Sequence, residues 1–388
     1  MSIAKYDAII VGAGIVGAAC ADEFARRNMR VAVVDRDVAG GSATAAAMGH
    51  IVVLDDSEAQ FALTRYSQRL WQELRPELPD DVEYEQPGTI WVAADEEEMA
   101  EVQRKHEYYG QRGVPVTMLD SQALRHLEPN LRDGLAGGLL VPEDAVLHPL
   151  SAARFLLQRA QKRGAQLVSG SVARLGQGRV QTADGLEISA EILVNAAGAW
   201  ASELTPGIEI KKRKGHLVIS DRYLGFLKHQ LVELGYLKSA HASSSDSVAF
   251  NVQPRRSGQI LIGSSRQYGA EGTDVDQDIL KRMLERAQEY MPALGSMSTV
   301  RAWTGLRAAT PDKLPLIGPW PEDKSLYLAT GHEGLGITTS LATARILADQ
   351  ITGAKSEIPI EPYLPSRAAK RMIADNISPG GLQWIGRA

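Results

Sequence analysis

The chain has 388 residues, of which 44% are hydrophobic and 23% charged, with a net charge of −5 and one cysteine, Cys20. This composition is that of an ordinary soluble globular protein long enough for two domains, and the spread of its charges argues against nucleic acid as the main partner. A single cysteine excludes an intrachain disulfide and a cysteine metal cluster, and we predict no metal site.

The first forty residues predict a strand, a glycine turn, a helix and a second strand. Ala8–Val11 is a short apolar strand, Gly12–Gly17 follows it as a GxGxxG motif, and a second strand, Arg30–Val34, ends on Asp35. Glycine lets backbone N–H groups approach a diphosphate at a helix N-terminus, and the acid accepts hydrogen bonds from ribose hydroxyls. The motif therefore predicts a dinucleotide site without separating NAD from FAD.

A stretch rich in glycine and alanine, Gly40–Gly49, leads into alternating predicted helices and strands. Short strands are expected over residues 166–189, and a buried strand, Ile192–Asn195, runs into a segment ending at Trp200. Helices are predicted over Glu58–Arg75, Glu96–Gln111 and Ser151–Arg163, and a strand, Gly88–Val92, lies between the first two.

From Ile208 to Ala308 the pattern favours a mainly antiparallel sheet interrupted by one helix, Gln277–Tyr290. The basic run Lys211–Lys214 predicts a solvated strand edge, with an anion-binding patch as the alternative. Three aromatic residues are either pocket or core residues: Tyr236, Tyr268 and Trp303. The C-terminal part returns to a strand, Leu326–Ala329, a glycine turn and a helix from about Thr338 to Gln350.

These elements predict an α/β fold with a discontinuous Rossmann-type domain and an inserted, mainly antiparallel α+β domain. We expect the cofactor-binding domain over residues 1–85, 145–207 and 320–388, and the substrate-binding domain over residues 86–144 and 208–319. The second glycine cluster, Gly331–Gly336, lies between a strand and a helix, where its backbone donors suit an anionic flavin edge. Two such turns at opposite ends of the chain favour a long cofactor, FAD.

Four stretches resemble the D-amino-acid oxidase family of FAD-dependent oxidoreductases, which includes glycine oxidase, sarcosine oxidase and bacterial D-amino-acid dehydrogenases. They are Gly12–Gly17 with Asp35, Val194–Trp200, Thr304–Gly318 and Gly331–Gly336. In that family the alanine–glycine–tryptophan segment lies beneath FAD, and the arginine segment lines the substrate pocket. The resemblance implies the same roles here.

The last of these stretches most resembles the flavin subunits of D-hydroxyproline dehydrogenases and opine-oxidising complexes. Such subunits often work with a partner subunit that holds an iron–sulphur cluster. This chain has one cysteine and cannot hold such a cluster itself. Relatives with covalent flavin carry a histidine where this chain has Ala46, or a late cysteine. We therefore expect non-covalent FAD, and either an electron-accepting partner subunit or a quinone.

Arg307 is the predicted anchor of a substrate carboxylate, because a planar guanidinium binds a carboxylate at two points. His50 and His332, each after a glycine, are candidates for tuning the flavin or orienting the amine, with a structural role as the alternative. Besides Arg307 and His332, the predicted cofactor contacts are Gly12, Gly14, Ile15, Val16, Gly17, Asp35, Arg36, Ser42, Ala43, Thr44, Met48, Gly49, Ala173, Ala197, Gly198, Trp200, Gly331, Glu333, Gly334, Leu335, Gly336, Ile337 and Thr338.

The predicted reaction is oxidation of the C–N bond of a small amino or imino acid, such as a D-amino acid, D-hydroxyproline, glycine or N-methyl glycine, by hydride transfer to flavin N5. The alternatives are a non-catalytic FAD-bound subunit of a larger dehydrogenase and a flavin monooxygenase. We expect a homo- or hetero-oligomer. We also expect the protein in the cytoplasm or at the inner face of the membrane, since no apolar run reaches the ~18 residues of a membrane span.

Overall fold

The computed structural model describes residues 5–235 and 246–367. The predicted pocket aromatic Tyr236 and the last part of the predicted cofactor domain, from residue 368 on, lie outside these ranges. The strands are β1 (Lys5–Val11), β2 (Val31–Asp35), β3 (His50–Ile51), β4 (Thr89–Ala93), β5 (Thr117–Asp120), β6 (Gly137–Val141), β7 (Ala145–Val146), β8 (Gln166–Ser169), β9 (Val172–Gly176), β10 (Arg179–Thr182), β11 (Glu187–Asn195), β12 (Lys211–Ser220), β13 (Gln230–Glu233), β14 (Ser247–Pro254), β15 (Ile260–Tyr268), β16 (Thr299–Ala309), β17 (Leu316–Trp320) and β18 (Asp323–Thr330).

The longer helices follow the sequence-based prediction closely, whereas two short ones, Ser121–Leu127 and Ala201–Leu204, were not predicted. The helices are α1 (Ile15–Arg26), α2 (Glu58–Leu74), α3 (Glu96–Gln111), α4 (Ser121–Leu127), α5 (Pro149–Lys162), α6 (Ala201–Leu204), α7 (Gln277–Tyr290) and α8 (Gly336–Thr352). Within residues 5–235 and 246–367, no helix is long and apolar enough to cross a membrane.

The first sheet is built around β1 and has the strand order β17-β18-β11-β1-β2-β8, with β10 and β9 attached to β11. The five strands from β18 to β8 in this order are parallel. The strand Val31–Val34 is fully buried, because α1 and its neighbours α5 and α8 cover one face and a second apolar cluster covers the other. The predicted strand–turn–helix–strand unit is therefore confirmed.

The second sheet has the order β16-β12-β15-β14-β13-β4-β6-β5 and is antiparallel except for the pair β13 and β4. Helix α7 packs against it through buried Met283, while Tyr290 stacks on Phe250 with ring centroids 4.5 Å apart. The chain leaves the first sheet twice to build this one, which confirms the predicted fold class. Strand β17, which begins at Leu316, lies in the first sheet although the predicted domain boundary falls at residue 320.

Helix N-termini differ in a way that bears on the site. Ser57, Asp95 and Asp276 cap α2, α3 and α7 by accepting hydrogen bonds from backbone N–H groups in the first turn. The N-cap residues of α1 and α8, Gly14 and Leu335, provide no side-chain cap, although Thr44 accepts a hydrogen bond from the first N–H group of α1, that of Ile15. Their N-terminal N–H groups and positive dipole ends therefore remain suited to an anionic ligand.

Candidate active site

A cavity of about 410 Å³ lies between the two sheets, within the usual size range of small-molecule sites. Its cofactor side consists of the carboxyl end of β1, the starts of α1 and α8, and residues 42–50. The opposite side, which we call the sheet wall, consists of alternate residues of β4, β12, β13 and β15, one residue of β14 and four consecutive residues of β16, Gly305–Ala308. Alternate residues of a strand share one face, so the second sheet presents a single face to the cavity.

The glycine turn after β1 has two positions where only glycine fits. Gly12 has a φ of +109°, and a Cβ there would lie 2.4 Å from the carbonyl oxygen of Ala196. A Cβ on Gly17 would lie 1.9 Å from the carbonyl oxygen of Gly12. Gly12 lines the cavity, whereas Gly17 lies behind it and lets α1 pack on the turn.

Asp35, at the end of β2, is fixed by backbone donors at the same end of the cavity. Its two carboxylate oxygens accept hydrogen bonds from the N–H groups of Ala13 and Asp37. The adjacent Arg36 lies over the ring of Trp200, with Cζ 4.5 Å from the ring centroid. The carboxylate is therefore held in one orientation beside a flat cationic and aromatic surface.

The stretch from Ser42 to Gly49 crosses the cavity between this end and the sheet wall. Thr44 Oγ1 accepts a hydrogen bond of 3.0 Å from the N–H of Ile15, which ties the stretch to the start of α1. Ala46 packs directly against β16, because a Cβ on Gly305 would lie 2.5 Å from the Cβ of Ala46. The absence of a side chain at Gly305 therefore makes room for Ala46.

The second glycine cluster closes the cofactor side. Gly331 has a φ of +83°, and the three residues Glu333–Leu335 form one tight turn before α8 begins. Thr338 does not line the cavity; it lies in the first turn of α8, where its hydroxyl donates a 2.7 Å hydrogen bond to the carbonyl oxygen of His50. This bond connects the two loops that carry the candidate histidines.

The two histidines are neutral groups. Burial lowers the pKa of His332 to about 3, and its Nε2 lies 3.0 Å from Thr343 Oγ1. Burial, reinforced by the charge of Arg307, lowers the pKa of His50 to about 4. Both line the cavity as uncharged imidazoles near neutral pH, so neither is poised to exchange a proton there.

Arg307 projects from β16 into the sheet wall, and a neighbouring strand makes room for it. Its Nη1 donates a 2.8 Å hydrogen bond to the carbonyl oxygen of Ser265. A Cβ on Gly215 of β12 would lie 2.3 Å from Nη2, so the guanidinium occupies the space that any side chain there would need. The hydrogen bond to Ser265 thus fixes the guanidinium at the cavity, and the absence of a side chain at Gly215 leaves the space that it occupies.

Sequence reasoning missed most of the sheet wall. Arg213 belongs to the basic run predicted as a solvated strand edge, but β12 pairs with β15 on one side and β16 on the other. The edge prediction is therefore wrong, and Arg213 lines the cavity with its guanidinium 4.7 Å from the ring centroid of Tyr268. Adjacent residues of a strand point to opposite faces, so Arg213 and Gly215 share one face while Lys212 and Lys214 share the other. This alternation is the sequence signal that could have placed Arg213 in the cavity wall.

An acidic residue from the opposite side completes this part of the wall. Glu333 accepts a hydrogen bond from Arg213 Nη1, and its Oε1 lies 3.5 Å from Arg266 Nε. Burial pushes the pKa of Glu333 upward, but Arg266, Arg213 and Arg307 outweigh burial and hold the pKa below its usual value. Glu333 is therefore an ionised carboxylate within a group of arginines.

Most of the predicted site residues line the cavity, and three do not: Gly17, Ala173 and Thr338. Ala173 is exposed on β9, while its neighbour Val172 lines the cavity, because adjacent residues of a strand point to opposite faces. Polar residues of the sheet wall that the sequence did not single out include Gln230, Asn251 and Ser264.

Comparisons with known proteins agree over nearly the whole chain. A family model described as FAD dependent oxidoreductase (DAO) matches residues 7–350. The chain is 29% identical to hydrogen cyanide synthase subunit HcnC of Pseudomonas aeruginosa, over 93% of this chain and 96% of that protein. The chain is 27% identical to glycine oxidase from Geobacillus kaustophilus, whose crystal structure superposes with a TM-score of 0.82 over 93% of this chain and 98% of the oxidase. The structure of L-proline dehydrogenase from P. horikoshii, 25% identical, covers 95% and 98% with a TM-score of 0.83.

Proposed function

Since the chain belongs to the DAO family of FAD-dependent oxidoreductases, we propose that it oxidises the C–N bond of a small amino or imino acid to an imine. Relatives whose names describe oxidation of glycine and of L-proline support this substrate class. FAD supplies the chemistry, because it accepts the hydride that such an oxidation releases. The protein supplies binding, orientation and electrostatics.

The residues of the cofactor side fit FAD. The backbone at Gly12 and the uncapped start of α1 suit a diphosphate, and the oriented carboxylate of Asp35 suits a ribose diol. The uncapped start of α8 suits the electron-rich end of a flavin ring. We propose that FAD is bound without a covalent bond, because alanine occupies position 46, where relatives with covalent flavin carry a histidine.

The placement of Arg307 carries the proposal for the substrate. A guanidinium in the cavity wall, fixed by Ser265 and accommodated by Gly215, can bind a substrate carboxylate in two-point geometry. Binding at this point fixes the position of the α-carbon relative to the cofactor side. Positioning of this kind contributes to catalysis because the translational and rotational entropy of the substrate is lost on binding rather than in the chemical step.

The electrostatics of the wall favour the reactive form of the amine. Hydride removal requires a neutral amine with a free lone pair, and the positive charges of Arg213, Arg266 and Arg307, which the ionised carboxylate of Glu333 only partly offsets, lower the pKa of a nearby ammonium group. His50 and His332 are neutral and do not oppose this effect. The proposed reaction therefore needs no side-chain base.

We further propose that electrons leave to a partner subunit or a quinone rather than to oxygen. The motif Gly331–Gly336 supports this acceptor, as do relatives named as a synthase subunit and a dehydrogenase. The glycine oxidases among the relatives point the other way. The two cases separate when the isolated chain is mixed with substrate in air, since rapid stoichiometric peroxide formation would contradict the proposal.

Anaerobic reduction of the bound flavin tests the substrate class directly. We expect the yellow protein to bleach on mixing with at least one member of a panel of D- and L-amino acids, N-methyl glycine and hydroxyproline isomers. Amines without a carboxylate, at matched concentration, should bleach it far more slowly. No bleaching by any member of the panel would reject the proposed reaction.

A further inference from the structure

We propose that the sheet wall contains a polar subsite, formed by Trp91, Gln230, Asn251 and Ser264, that binds a neutral substrate side chain ending in a primary carboxamide. This inference rests on the proposed function and specifies the side chain of the amino acid that the same cavity takes. Arg307 then holds the carboxylate of the substrate, and the polar subsite holds its opposite end.

The polar subsite contains buried polar atoms that lack a hydrogen-bond partner among residues 5–235 and 246–367. These atoms are Trp91 Nε1, Gln230 Oε1, Asn251 Oδ1 and Ser264 Oγ. All four residues line the cavity, and each is less than a tenth exposed. A buried polar group without a partner is unfavourable and rare in folded proteins. Because these atoms belong to residues of one cavity, a polar ligand in that cavity fits them as a partner.

Strand register brings three of these residues together. Trp91 of β4 pairs with Val232 of β13, and Val232 pairs on its other side with Asn251 of β14. Gln230 precedes Val232 by two residues and therefore projects from the same face. Trp91, Gln230 and Asn251 thus surround Val232 on the cavity face of the sheet, at the close spacing of directly opposite and diagonal strand neighbours.

The polar subsite lies within reach of a substrate whose carboxylate binds Arg307. The guanidinium extends over Gly215 of β12 to the carbonyl oxygen of Ser265 on β15. Strand β14 lies next to β15, and β13 lies one strand further, so these strands are about 5 and 10 Å away. A substrate that extends away from the charged pair of Arg213 and Glu333 therefore places its side chain over β14 and β13.

The unpartnered atoms match a carboxamide in kind. The amide oxygens of Gln230 and Asn251 accept hydrogen bonds, whereas the indole N–H of Trp91 donates one. A primary carboxamide offers two N–H donors and one carbonyl acceptor, so it satisfies both oxygens and the indole. Either orientation of the two protein amides pairs with it, since each amide holds a donor beside an acceptor. A hydroxyl has one donor and a carboxylate has none.

The charges beside the polar subsite cancel each other, which favours a neutral ligand. Lys105 lies against Trp91, with Nζ 5.0 Å from the ring centroid, and forms an ion pair with Asp55. Both charged side chains are almost completely withdrawn from water, at 0% and 1% exposure. A second charge brought into this region by a ligand would lose its hydration without gaining an opposite charge.

Three acids with the same carbon skeleton and different ends provide the test. Glutaramate ends in a carboxamide, glutarate in a carboxylate and isoheptanoate in an isopropyl group. None has an α-amine, so calorimetric titration of the FAD-loaded protein measures binding without oxidation. We expect glutaramate to bind at least about tenfold more tightly than either of the others. An equal or higher affinity for one of the others would overturn the proposal, as would no detectable binding of glutaramate.

Variants assign the preference to residues. Gln230→Leu and Asn251→Leu should each reduce the preference for glutaramate over isoheptanoate to about twofold or less. Each should also bind isoheptanoate more tightly than wild type does, a gain that a merely damaged cavity would not show. Gln277→Leu, at the exposed start of α7, is the matched control and should leave the preference unchanged.

The same variants distinguish a substrate contact from a cofactor contact. FAD affinity is measured for each by titration of the apoprotein, and we expect it to stay close to that of wild type. A wild-type preference for glutaramate in both leucine variants would overturn the proposal. Such a preference combined with weakened FAD binding would assign the two amides to the cofactor instead.

Anaerobic flavin reduction separates this inference from the proposed function. Both enantiomers of glutamine are compared with those of homoleucine, which carries an isopropyl group in place of the carboxamide. Faster reduction by glutamine supports the polar subsite. Faster reduction by homoleucine would overturn it and leave the proposed function intact. Absence of reduction by all of them, together with a retained preference for glutaramate, would count against the amine oxidation while the polar subsite stands.

Discussion

Replacement of Arg307 by methionine tests the link between the sheet wall and the substrate. The methionine side chain keeps much of the aliphatic volume of the arginine but removes the guanidinium that bonds to Ser265 and lies over Gly215. We expect the variant to fold and bind FAD, because methionine refills part of the space and the described hydrogen bond that is lost goes to the backbone carbonyl of Ser265. Flavin content and the thermal unfolding midpoint measure this.

The expected effect on catalysis follows from the bonds that the substrate loses. A two-point contact comprises two charge-assisted hydrogen bonds, each worth roughly 1.5–3 kcal/mol. A carboxylate left without its partner in a partly buried wall costs about 3–5 kcal/mol in total. Even the lower figure of about 3 kcal/mol corresponds to a decrease in kcat/KM of at least about a hundredfold.

The decisive measurement compares two substrates and two variants. The ratio of wild-type to Arg307→Met activity is determined on an amino acid and on its decarboxylated amine, and Arg301→Met of the same strand serves as the control with near wild-type activity on both. The loss should be much smaller on the amine, because no anion is then left unpaired. Equal losses on both substrates would refute the anchoring role and indicate that Arg307 supports the cavity or the flavin instead.

Other predictions address the cofactor and the fold. Asp35→Ala should weaken FAD binding by about tenfold or more, since charge-assisted bonds to the ribose are lost, and titration of the apoprotein measures this; unchanged affinity would contradict the assignment. Acid precipitation should release all of the FAD, and flavin retained by the polypeptide would contradict the inference from Ala46. Gly17→Ala should destabilise the protein by about 1–3 kcal/mol through its clash with the preceding turn, while Gly110→Ala, where a Cβ meets nothing within 4 Å, should not. Because the pKa of His332 is about 3 in the folded state and 6.5 in the reference state, the unfolded chain binds the proton more readily, and stability should fall as the pH drops below about 6.5, by up to ~2 kcal/mol at about pH 5 for this group. Urea unfolding of His332→Gln should show a smaller drop between about pH 7 and pH 5 than wild type, and an equal drop would argue against a neutral buried histidine.

The sequence predicted those parts of the fold that depend on short-range signals. Helices α3 and α7 were located to the residue, and in the structure each begins directly after a capping aspartate, Asp95 and Asp276, which is a feature of the local sequence. The turn at Gly12 and the acid at Asp35 belong to one local unit, so their spacing alone brings them to the same end of the cavity. Local chemistry was sufficient in these cases.

The sheet wall could not be predicted in this way, because its chemistry depends on register between distant strands. Arg213, Arg266 and Arg307 meet only after β12 pairs with both β15 and β16. In the sequence, Arg213 is one residue of a basic run whose composition resembles an exposed edge. The side chain of Ala173 lies outside the cavity for a related reason, since adjacent residues of a strand point to opposite faces and Val172 is the one that lines it.

The fit between Gly215 and Arg307 couples two positions that are far apart in the sequence. Because the guanidinium fills the space where a side chain at position 215 would begin, any substitution there acts as a mutation of Arg307. In a genetic screen, residue 215 would therefore be classed with the substrate-binding residues. The converse is useful for directed evolution toward amines without a carboxylate: once Arg307 is shortened, position 215 becomes free to carry a side chain, and the two codons should be randomised together.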